Sequence, residues 1–236
     1  MLVASKVLLW DGLVSNGETI LVVRISEELK TIKIAGGSLA PLSKAVKVSW
    51  GDGTKDILSD FLGRMHTYDR SGEYVITISD DIASFGFTSD IEGDEVYRPM
   101  LIELVSIGSK VTRIEDYAFN NCKNMRGRIS LPYVTEIGDY VFGSIEGIGE
   151  IILPSLTHLN QESFFAGPSA SRLYVDNVIV IDSRFFEYYG GNLKDLYIRN
   201  LSRFEIKDID GFPFEAPGDV RFHGSDGIIL ANGQLI

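Results

Sequence analysis

The chain has little of what catalytic and metal-binding proteins commonly carry. Its 236 residues include one cysteine, Cys122, which excludes an intramolecular disulfide and a cysteine metal cage. Its three histidines, at positions 66, 158 and 223, lack metal-ligand spacing. No P-loop, G-x-S-x-G, H-E-x-x-H or G-x-G-x-x-G motif is present. We therefore expect no enzyme, no catalytic residues, no metal and no cofactor.

Positive charge is also scarce, with 22 Lys and Arg against 33 Asp and Glu, a net charge of −11. Because nucleic acids and anionic membranes attract basic surfaces, this balance argues against both as partners. No run approaches the ~20 apolar residues of a membrane helix, so we expect no membrane insertion. The apolar run Val7–Leu9 is too short for a signal peptide. Either the protein acts without the general export route or a leader has been removed, and the compartment stays open.

One pattern recurs between about residues 105 and 223. Each copy has an alternating apolar strand, a link, and an apolar residue five positions before a phenylalanine. These pairs are Ile114 and Phe119, Ile137 and Phe142, Leu159 and Phe164, Ile181 and Phe186, with the phenylalanines 23, 22 and 22 positions apart. A decayed fifth copy follows at Phe204 and Ile209. A fixed period of this length predicts a solenoid, since one unit cannot bury its apolar face alone.

Aligning the copies predicts the internal arrangement of the solenoid. The strand triplets 129–131, 151–153, 173–175, 196–198 and 220–222 each point their outer two residues into the core. Each copy should then carry a short helical turn, capped by Asp116, Asp139, Asn160 or Asp182. The four phenylalanines of the first four copies should stack as one internal column.

The outward-facing residues of the same strands should form rows across a parallel sheet, since neighbouring strands lie about 4.8 Å apart. A charged row reads Arg128, Glu150, Arg172, Asp195 and Asp219. The middle row reads Ser130, Ile152, Tyr174, Tyr197 and Arg221. A third row places Asp176 beside Arg199 and His223.

The middle row is the candidate binding site. Exposed aromatic residues flanked by arginine are typical of protein interfaces. The predicted partner-binding residues are Ile152, Tyr174, Tyr197 and Arg221. The alternative is that the amino-terminal domain or a neighbouring molecule covers them.

The amino-terminal third has the pattern of strands separated by turns. Val46, Val48 and Trp50 alternate on one face, and the dipeptide Asp52-Gly53 then predicts a turn. The carboxylates of Asp52, Asp56 and Asp60 lack the spacing of a calcium loop, so a structural turn is favoured over a metal site. His66 is interpreted as a strand residue hydrogen-bonded to the backbone.

Three motifs of this region carry a resemblance. The sequences W-G-D-G-T at 50–54, H-T-Y at 66–68 and G-x-Y-x-I-x-I at 72–78 occur in that order. Together they resemble a PKD-like, immunoglobulin-type β-sandwich over about residues 15–85. The commoner form has two further residues between Trp50 and Gly51. The resemblance implies a spacer or adhesion module.

An acidic stretch joins the two regions. Residues 86–99 contain Asp90, Glu92, Asp94 and Glu95 with an intervening glycine. A solvated linker is the favoured interpretation of such a charge run, with a calcium site left open.

The repeats carry a second resemblance. Ile114–Cys122 reads I-x-x-x-A-F-x-x-C, and Ile129–Pro132 is a strand that ends in Leu-Pro. Over about residues 101–223 the chain resembles BspA-like leucine-rich repeat proteins, although Pro132 and Pro154 become Asp176 and Arg199 in later copies. The resemblance implies a curved solenoid for adhesion or protein binding, at the cell surface or secreted. Cys122 is interpreted as a small buried apolar residue.

The expected fold is mainly β: a β-sandwich at 1–85, an acidic linker at 86–99, and a leucine-rich-repeat solenoid with short helical turns at 100–236. A carboxy-terminal hairpin around Asn232-Gly233 should cap it. The expected function is a non-catalytic protein-binding or adhesion protein of bacterial surface type, with a surface or host protein as partner. The alternatives are a phage-type appendage protein and a carbohydrate-binding module whose Trp10 or Tyr188-Tyr189 stacks on sugars, although core packing is favoured for those aromatic residues.

Overall fold

The computed structural model describes residues 17–160, 162–189, 192–199, 205–207, 220–225, 227–231 and 234–235, with backbone only for 205–207 and beyond 226. The fold is mainly β, with a β-solenoid of about four turns and little helix. No helix among the described residues has the length and apolar character that crossing a membrane requires.

Residues 17–106 of the amino-terminal region hold eight strands. They are β1 (Thr19–Ile25), β2 (Thr31–Gly37), β3 (Val46–Ser49), β4 (Lys55–Leu58), β5 (Phe61–Thr67), β6 (Gly72–Ile78), β7 (Ser84–Phe85) and β8 (Leu101–Ser106). A five-stranded sheet has the order β4-β3-β6-β1-β8, and β2 pairs with β5 in a two-stranded sheet. Val46, Val48 and Trp50 are buried together, as their alternation predicts.

Close backbone packing explains the glycine pair at the end of β2. A Cβ at Gly36 would lie 1.9 Å from the carbonyl oxygen of Phe61 in β5. A Cβ at Gly37 would lie 2.0 Å from the carbonyl oxygen of Ser84 in β7. Only glycine permits both approaches, so this pair lets β2 lie between β5 and the segment that leads into the solenoid.

The amino-terminal sheets and the solenoid share strands across the predicted boundary. Strand β8 follows residue 100 but pairs antiparallel with β1 in the first sheet. Strand β7 instead pairs parallel with the first short strand of the solenoid. The ring centroids of Phe85 and Phe119 are 6.2 Å apart, which joins the two cores. The amino-terminal region therefore covers the first repeat, an end that a solenoid must close.

The acidic stretch is not wholly solvated. Asp94 is 7% exposed, and both of its carboxylate oxygens lie 2.7 Å from Lys33 Nζ. Ser89 Oγ donates to the same carboxylate at 2.7 Å. The prediction of a solvated linker is therefore wrong for Asp94, since a lysine from β2 binds it to the sheet. Two 3₁₀-helices, Asp94–Val96 and Arg98–Met100, follow.

The solenoid alternates two sets of parallel strands, which we name the short and the long strands after their lengths in the first repeats. The short strands are β9 (Arg113–Ile114), β11 (Glu136–Ile137), β13 (His158–Leu159), β15 (Val180–Asp182) and β17 (Glu205–Lys207). The long strands are β10 (Gly127–Ser130), β12 (Ile148–Ile152), β14 (Arg172–Tyr174), β16 (Asp195–Tyr197) and β18 (Arg221–Gly224). With β19 (Gly227–Ala231) and β20 (Gln234–Leu235), the long strands form a seven-stranded sheet in chain order.

The carboxy-terminal end of the solenoid only partly follows the sequence pattern. Strands β19 and β20 pair antiparallel, which confirms the hairpin, while its turn at 232–233 lies outside the described residues. Ile206 is the partner of Ile181 in the fifth copy, so the predicted alignment on Phe204 is wrong by two positions. Phe204 and Ile209 themselves lie outside the described residues.

The predicted helical turns form only in the later repeats. They are the 3₁₀-helix Glu162–Phe164 and the α-helix α1 (Phe185–Tyr189). In the first two repeats, Tyr117 and Tyr140 have φ of 60° and 58°, which a helix excludes. The Tyr117 N–H donates to the Asp139 carbonyl of the next repeat at 2.8 Å. These turns keep single hydrogen bonds between residues three apart, such as the Asn120 N–H to the Tyr117 carbonyl at 3.0 Å, and also bond to the neighbouring repeat.

Side-chain caps likewise link repeats. Asn160 Oδ1 accepts the Glu162 N–H at 2.9 Å, which is the predicted cap within one turn. Asp116 Oδ1 instead accepts the Asp139 N–H of the following repeat at 3.1 Å. Asp139 Oδ1 accepts a hydrogen bond from Asn160 Nδ2 at 3.1 Å. Three of the four predicted capping residues therefore form a polar row that ties successive turns together, whereas Asp182 lies 2.7 Å from His158 Nε2.

The internal ring column is present with one substitution. Ring centroids are 6.3 Å apart between Phe119 and Phe142, and 5.0 Å apart between Phe142 and Phe164. The ring that contacts Phe164 next is Phe185, at 5.3 Å, and not the predicted Phe186. Phe186 contacts Phe185 and the Phe222 ring of β18. The fourth repeat is helical here, so adjacent positions differ by about 100° in direction.

The lone cysteine lies in this core. Cys122 is fully buried, and burial raises the pKa of its thiol far above the ordinary value. A thiol held neutral in this way is a poor nucleophile. The interpretation of Cys122 as a small buried apolar residue is confirmed.

Candidate functional site

The seven-stranded sheet sets which outward side chains become neighbours. Its register pairs Ser130 with Ile152, Ile152 with Tyr174 and Tyr174 with Tyr197. The next partner of Tyr197 is His223, so the prediction of Arg221 in this row is wrong. A shift of two residues keeps every side chain on its own face, and apolar alternation therefore cannot detect it.

The resulting aromatic row comprises Ile152, Tyr174, Tyr197 and His223, all half-buried. The rings of Tyr174 and Tyr197 are 4.3 Å apart and within 8° of parallel. The rings of Tyr197 and His223 are 4.2 Å apart and within 13°. Burial is the main cause that raises the pKa of Tyr174, and the neighbouring Tyr197 raises it further. Tyr197 therefore has a ring on each of its faces.

The charged row beside it alternates along its whole length. Its members, in strand order, are Arg128, Glu150, Arg172, Asp195 and Arg221. Arg172 Nη2 is 2.7 Å from Glu150 Oε1, and Arg221 Nη2 donates to Asp195 Oδ2 at 2.7 Å. The same two-residue shift brings Arg221 to the position predicted for Asp219, which lies outside the described residues. The sign alternation is therefore more complete than the sequence alignment indicated.

Asp195 connects the two rows. Its carboxylate is nearly buried, and His223 Nε2 lies 2.6 Å from its second oxygen. Burial alone would raise the pKa of Asp195, but hydrogen bonds from Arg221 and His223 lower it below the ordinary value. The ionised carboxylate holds the His223 ring against Tyr197. In the third row, Arg199 contacts Asp176 at 3.0 Å as predicted, whereas His223 leaves that row.

A second cluster gathers the motif residues of the amino-terminal region. Asp52 accepts hydrogen bonds from the Thr54 N–H and hydroxyl at 2.9 and 2.6 Å. His66 Nε2 lies 2.7 Å from Asp52, and its ring stacks on Trp50 at 4.6 Å. Burial opposes ionisation of Asp52, but these hydrogen bonds outweigh it and lower its pKa to about 2. His66 thus bonds to a carboxylate, and the predicted backbone partner is wrong.

The carboxylates of Asp56 and Asp60, considered for a calcium site, have partners within the chain. Asp56 accepts a hydrogen bond from the Trp50 indole at 2.8 Å, and Asp60 pairs with Arg64. Across the part of the chain that the structure describes, no three His, Cys, Asp or Glu side chains are grouped to hold a metal ion. The carboxylates that follow β3 therefore bond to a turn residue, to ring nitrogens and to an arginine of the chain itself.

A second set of rings lies on the turns of the repeats, and sequence reasoning missed it. Centroid distances are 5.0 Å from Tyr117 to Tyr140, 5.2 Å from Tyr140 to Phe165, and 5.1 Å from Phe165 to Tyr188. We refer to these four residues as the turn-side strip. Tyr117 and Tyr140 are spaced by 23 positions, a signal that was available in the sequence. The later rings follow the column phenylalanine instead of preceding it, which breaks the pattern.

The aromatic residues considered for sugar stacking differ in their exposure to solvent. Tyr189 is fully buried and donates to the Ala170 carbonyl at 3.0 Å, so core packing is the correct interpretation. Tyr188 is half-buried beneath the Arg184 guanidinium, 4.8 Å from the ring centroid. Trp10 lies outside the described residues.

Comparison with known families agrees with the repeat architecture. The family described as "BspA type Leucine rich repeat region" matches residues 91–211 in six copies, which is 121 of the 236 residues. Comparison with curated proteins finds no match, and neither does comparison with solved structures. The stacked strand–turn repeats and this match lead to one assignment: the chain belongs to the BspA-type leucine-rich repeat family.

Proposed function

We propose that this chain is a non-catalytic protein-binding protein of adhesion type, which contacts a protein partner through the aromatic row. The observation that carries the proposal is the half-exposed stack of Tyr174, Tyr197 and His223 on the long strands. Tyrosine is enriched among the few interface residues that contribute most of the binding energy. The alternating charges beside the aromatic row supply a polar rim. Arg172 and Arg221 lie in that rim.

The ring geometry favours a protein over a glycan. A sugar stacks on an open aromatic face, whereas Tyr197 has Tyr174 on one face and His223 on the other. Ring edges, hydroxyl groups and the side chain of Ile152 suit the irregular surface of a protein. A glycan array probed with the full chain should give no signal. If the array gives a strong signal and the Tyr174→Ala variant loses it, a glycan would replace a protein as the proposed partner.

We further propose that the amino-terminal sheets form a PKD-like β-sandwich that spaces the solenoid from a cell surface. The three motifs behind this resemblance meet in space. Trp50 stacks on His66, the Tyr68 hydroxyl donates to the Trp50 carbonyl at 2.9 Å, and the Tyr74 ring of the third motif stacks on Tyr68 at 4.1 Å. A surface or secreted location fits a spacer followed by a binding solenoid. Immunofluorescence on intact cells of the source tests the location.

Site-specific photo-crosslinking tests the aromatic row directly. A photoreactive amino acid replaces Tyr174 in the full chain, and a matched control replaces Ile179, which is 48% exposed and precedes short strand β15. The full chain is exposed to solubilised cell-surface proteins. A partner crosslinked from position 174 but not from 179 is expected.

The double variant Tyr174→Ala/Tyr197→Ala supplies the functional counterpart. It should keep a cooperative melting transition and lose capture of the crosslinked partner. Equal capture by the variant and the unchanged chain would remove the aromatic row as the binding surface.

A further inference from the structure

The turn-side strip is a second aromatic surface, carried by different elements from the aromatic row. Its rings come from the turns that follow short strands β9, β11, β13 and β15. The strip crosses four consecutive repeats, and Phe165 near its centre keeps 39% of its surface exposed. A continuous file of partly exposed rings is uncommon on a surface unless it contacts something.

The rings of this strip are not all stacked face to face, unlike those of the aromatic row. Tyr117 and Tyr140 are nearly parallel, at 11°, but Phe165 is turned by 64° from Tyr140. Tyr188 is tilted by 42° from Phe165. Neither neighbour is stacked face to face on Phe165, and 39% of the surface of this residue stays exposed.

Carboxylates accompany the rings in each repeat. Asp116, Asp139, Glu162 and Glu187 lie in the same turns, and Arg113 is paired with Glu115, Asp116 and Glu136 at the first turn. The negative charge of Glu162 raises the pKa of Tyr140, and burial and a hydrogen bond with Glu162 act in the same direction. The strip is therefore an electronegative surface on a chain whose net charge is −11.

The last ring of the strip already holds a cation of the chain itself. The Arg184 guanidinium lies 4.8 Å from the centroid of the Tyr188 ring. Arg184 Nε and Nη2 also donate to the two carboxylate oxygens of Glu187, at 2.8 and 2.9 Å. A ring face plus a bidentate carboxylate is the arrangement that selects arginine over other side chains.

We propose that the turn-side strip binds an arginine-bearing segment of a partner protein. A guanidinium of that segment packs on the exposed ring of Phe165 beside Tyr140 and pairs with Glu162, repeating the contact that Arg184 makes with Tyr188 and Glu187. The charge complementarity between an arginine segment and the acidic turns sets the class of partner. This surface is independent of the aromatic row on the long strands.

A labelled peptide that alternates glycine and arginine tests the proposal by fluorescence anisotropy with the full chain. A second peptide carries citrulline, which is isosteric with arginine but neutral. Measurements at about 0.15 M salt screen diffuse attraction, since the Debye length is then about 8 Å. The citrulline peptide should bind at least about tenfold more weakly, since the cation–ring and ion-pair contacts are both lost.

Variants locate the peptide on the strip. Phe165→Leu and Glu162→Gln should each weaken binding of the arginine peptide by about three- to tenfold. Tyr133→Leu, at a 49% exposed position in neither the turn-side strip nor the aromatic row, serves as the matched control and should leave the dissociation constant unchanged. Glu162→Gln removes a charge and keeps the ring, so it gives an answer even where the ring variant loses its fold.

Two results would overturn the proposal. One is equal affinity for the arginine and citrulline peptides, because recognition would then owe nothing to the cation. The other is one dissociation constant for the unchanged chain, Phe165→Leu and Glu162→Gln, which would place the peptide elsewhere on the acidic surface. A thermal melt of each variant verifies that the fold is retained.

Discussion

Tyr197 stacks on His223 with ring centroids 4.2 Å apart, and Asp195 fixes that stack by its contact with His223 at 2.6 Å. The same strand pairing places Arg221 on the other oxygen of Asp195. One carboxylate therefore completes the aromatic row and the charged row together. The carboxy-terminal end of the candidate site depends on this single register between β16 and β18.

The pairing of Asp195 with Arg221 predicts a measurable coupling. Arg221→Ala, Asp195→Ala and the double variant should show a favourable coupling, with Arg221→Ala costing less stability when residue 195 is already alanine. Asp195→Ala alone should cost about 1–3 kcal/mol, because a nearly buried acceptor of two hydrogen bonds is removed. Urea unfolding measures all four free energies. A coupling energy near zero would contradict the register.

The ring column predicts a strong dependence of stability on Phe142. Its ring is fully buried between Phe119 and Phe164, so Phe142→Ala should lower the free energy of unfolding by about 3–5 kcal/mol. Phe142→Leu keeps most of the volume and should cost less than about 1.5 kcal/mol. Tyr133→Ala is the control at a 49% exposed position, with an expected change within about 0.5 kcal/mol. Equal losses for the buried and the exposed position would argue against the column.

The close approach of β2 to β7 predicts contrasting effects of alanine at two glycines. Gly37→Ala would place a methyl group 2.0 Å from the Ser84 carbonyl oxygen, which the backbone can accommodate only by moving. We expect a loss of about 1–3 kcal/mol. Gly149→Ala is the matched control, because nothing lies within 4 Å of the position that its methyl group would take. Thermal melts should show a lower midpoint for the first variant and an unchanged midpoint for the second.

The low pKa of Asp52 predicts a dependence of stability on pH. Its folded value of about 2 lies below the ordinary value of 3.8, so its ionised form stabilises the fold. That contribution is complete above about pH 4, and it decreases as pH falls toward 2. Asp52→Asn should therefore be less stable than the unchanged chain at about pH 6, with the difference shrinking in acid. Carbon-detected titration should find the Asp52 carboxyl still ionised near pH 3, and a midpoint near 3.8 would contradict this contact.

Much of the solenoid was predictable because its information is local and repeated. The apolar alternation of Ile129, Leu131 and their equivalents fixes which side chains enter the core, and each is buried. The row that joins Tyr174 to Tyr197 follows from counting residues between copies. The same counting fails at Arg221, because the interval between the last two copies is longer than the earlier ones. It fails at Phe186, because helix α1 places the preceding residue, Phe185, in the ring column.

The long-range contacts were not predictable in the same way. The pairing of β8 with β1 and the ion pair of Lys33 with Asp94 join residues that are far apart in sequence and carry no periodic mark. The rings of the turn-side strip come from different positions in successive repeats. Each of these contacts exists only once the backbone has placed two unrelated segments side by side.

Taken alone, the amino-acid sequence determined that repeated units stack, which faces they bury and that Tyr174 and Tyr197 are neighbours. Periodicity suffices for this, because an apolar face that recurs at a fixed interval must be buried by the next copy. The tertiary structure decided that His223 completes the aromatic row, that Arg221 pairs with Asp195, and that β7 closes the first repeat. These depend on strand register and on chain reversal, which a two-residue side-chain period leaves undetermined.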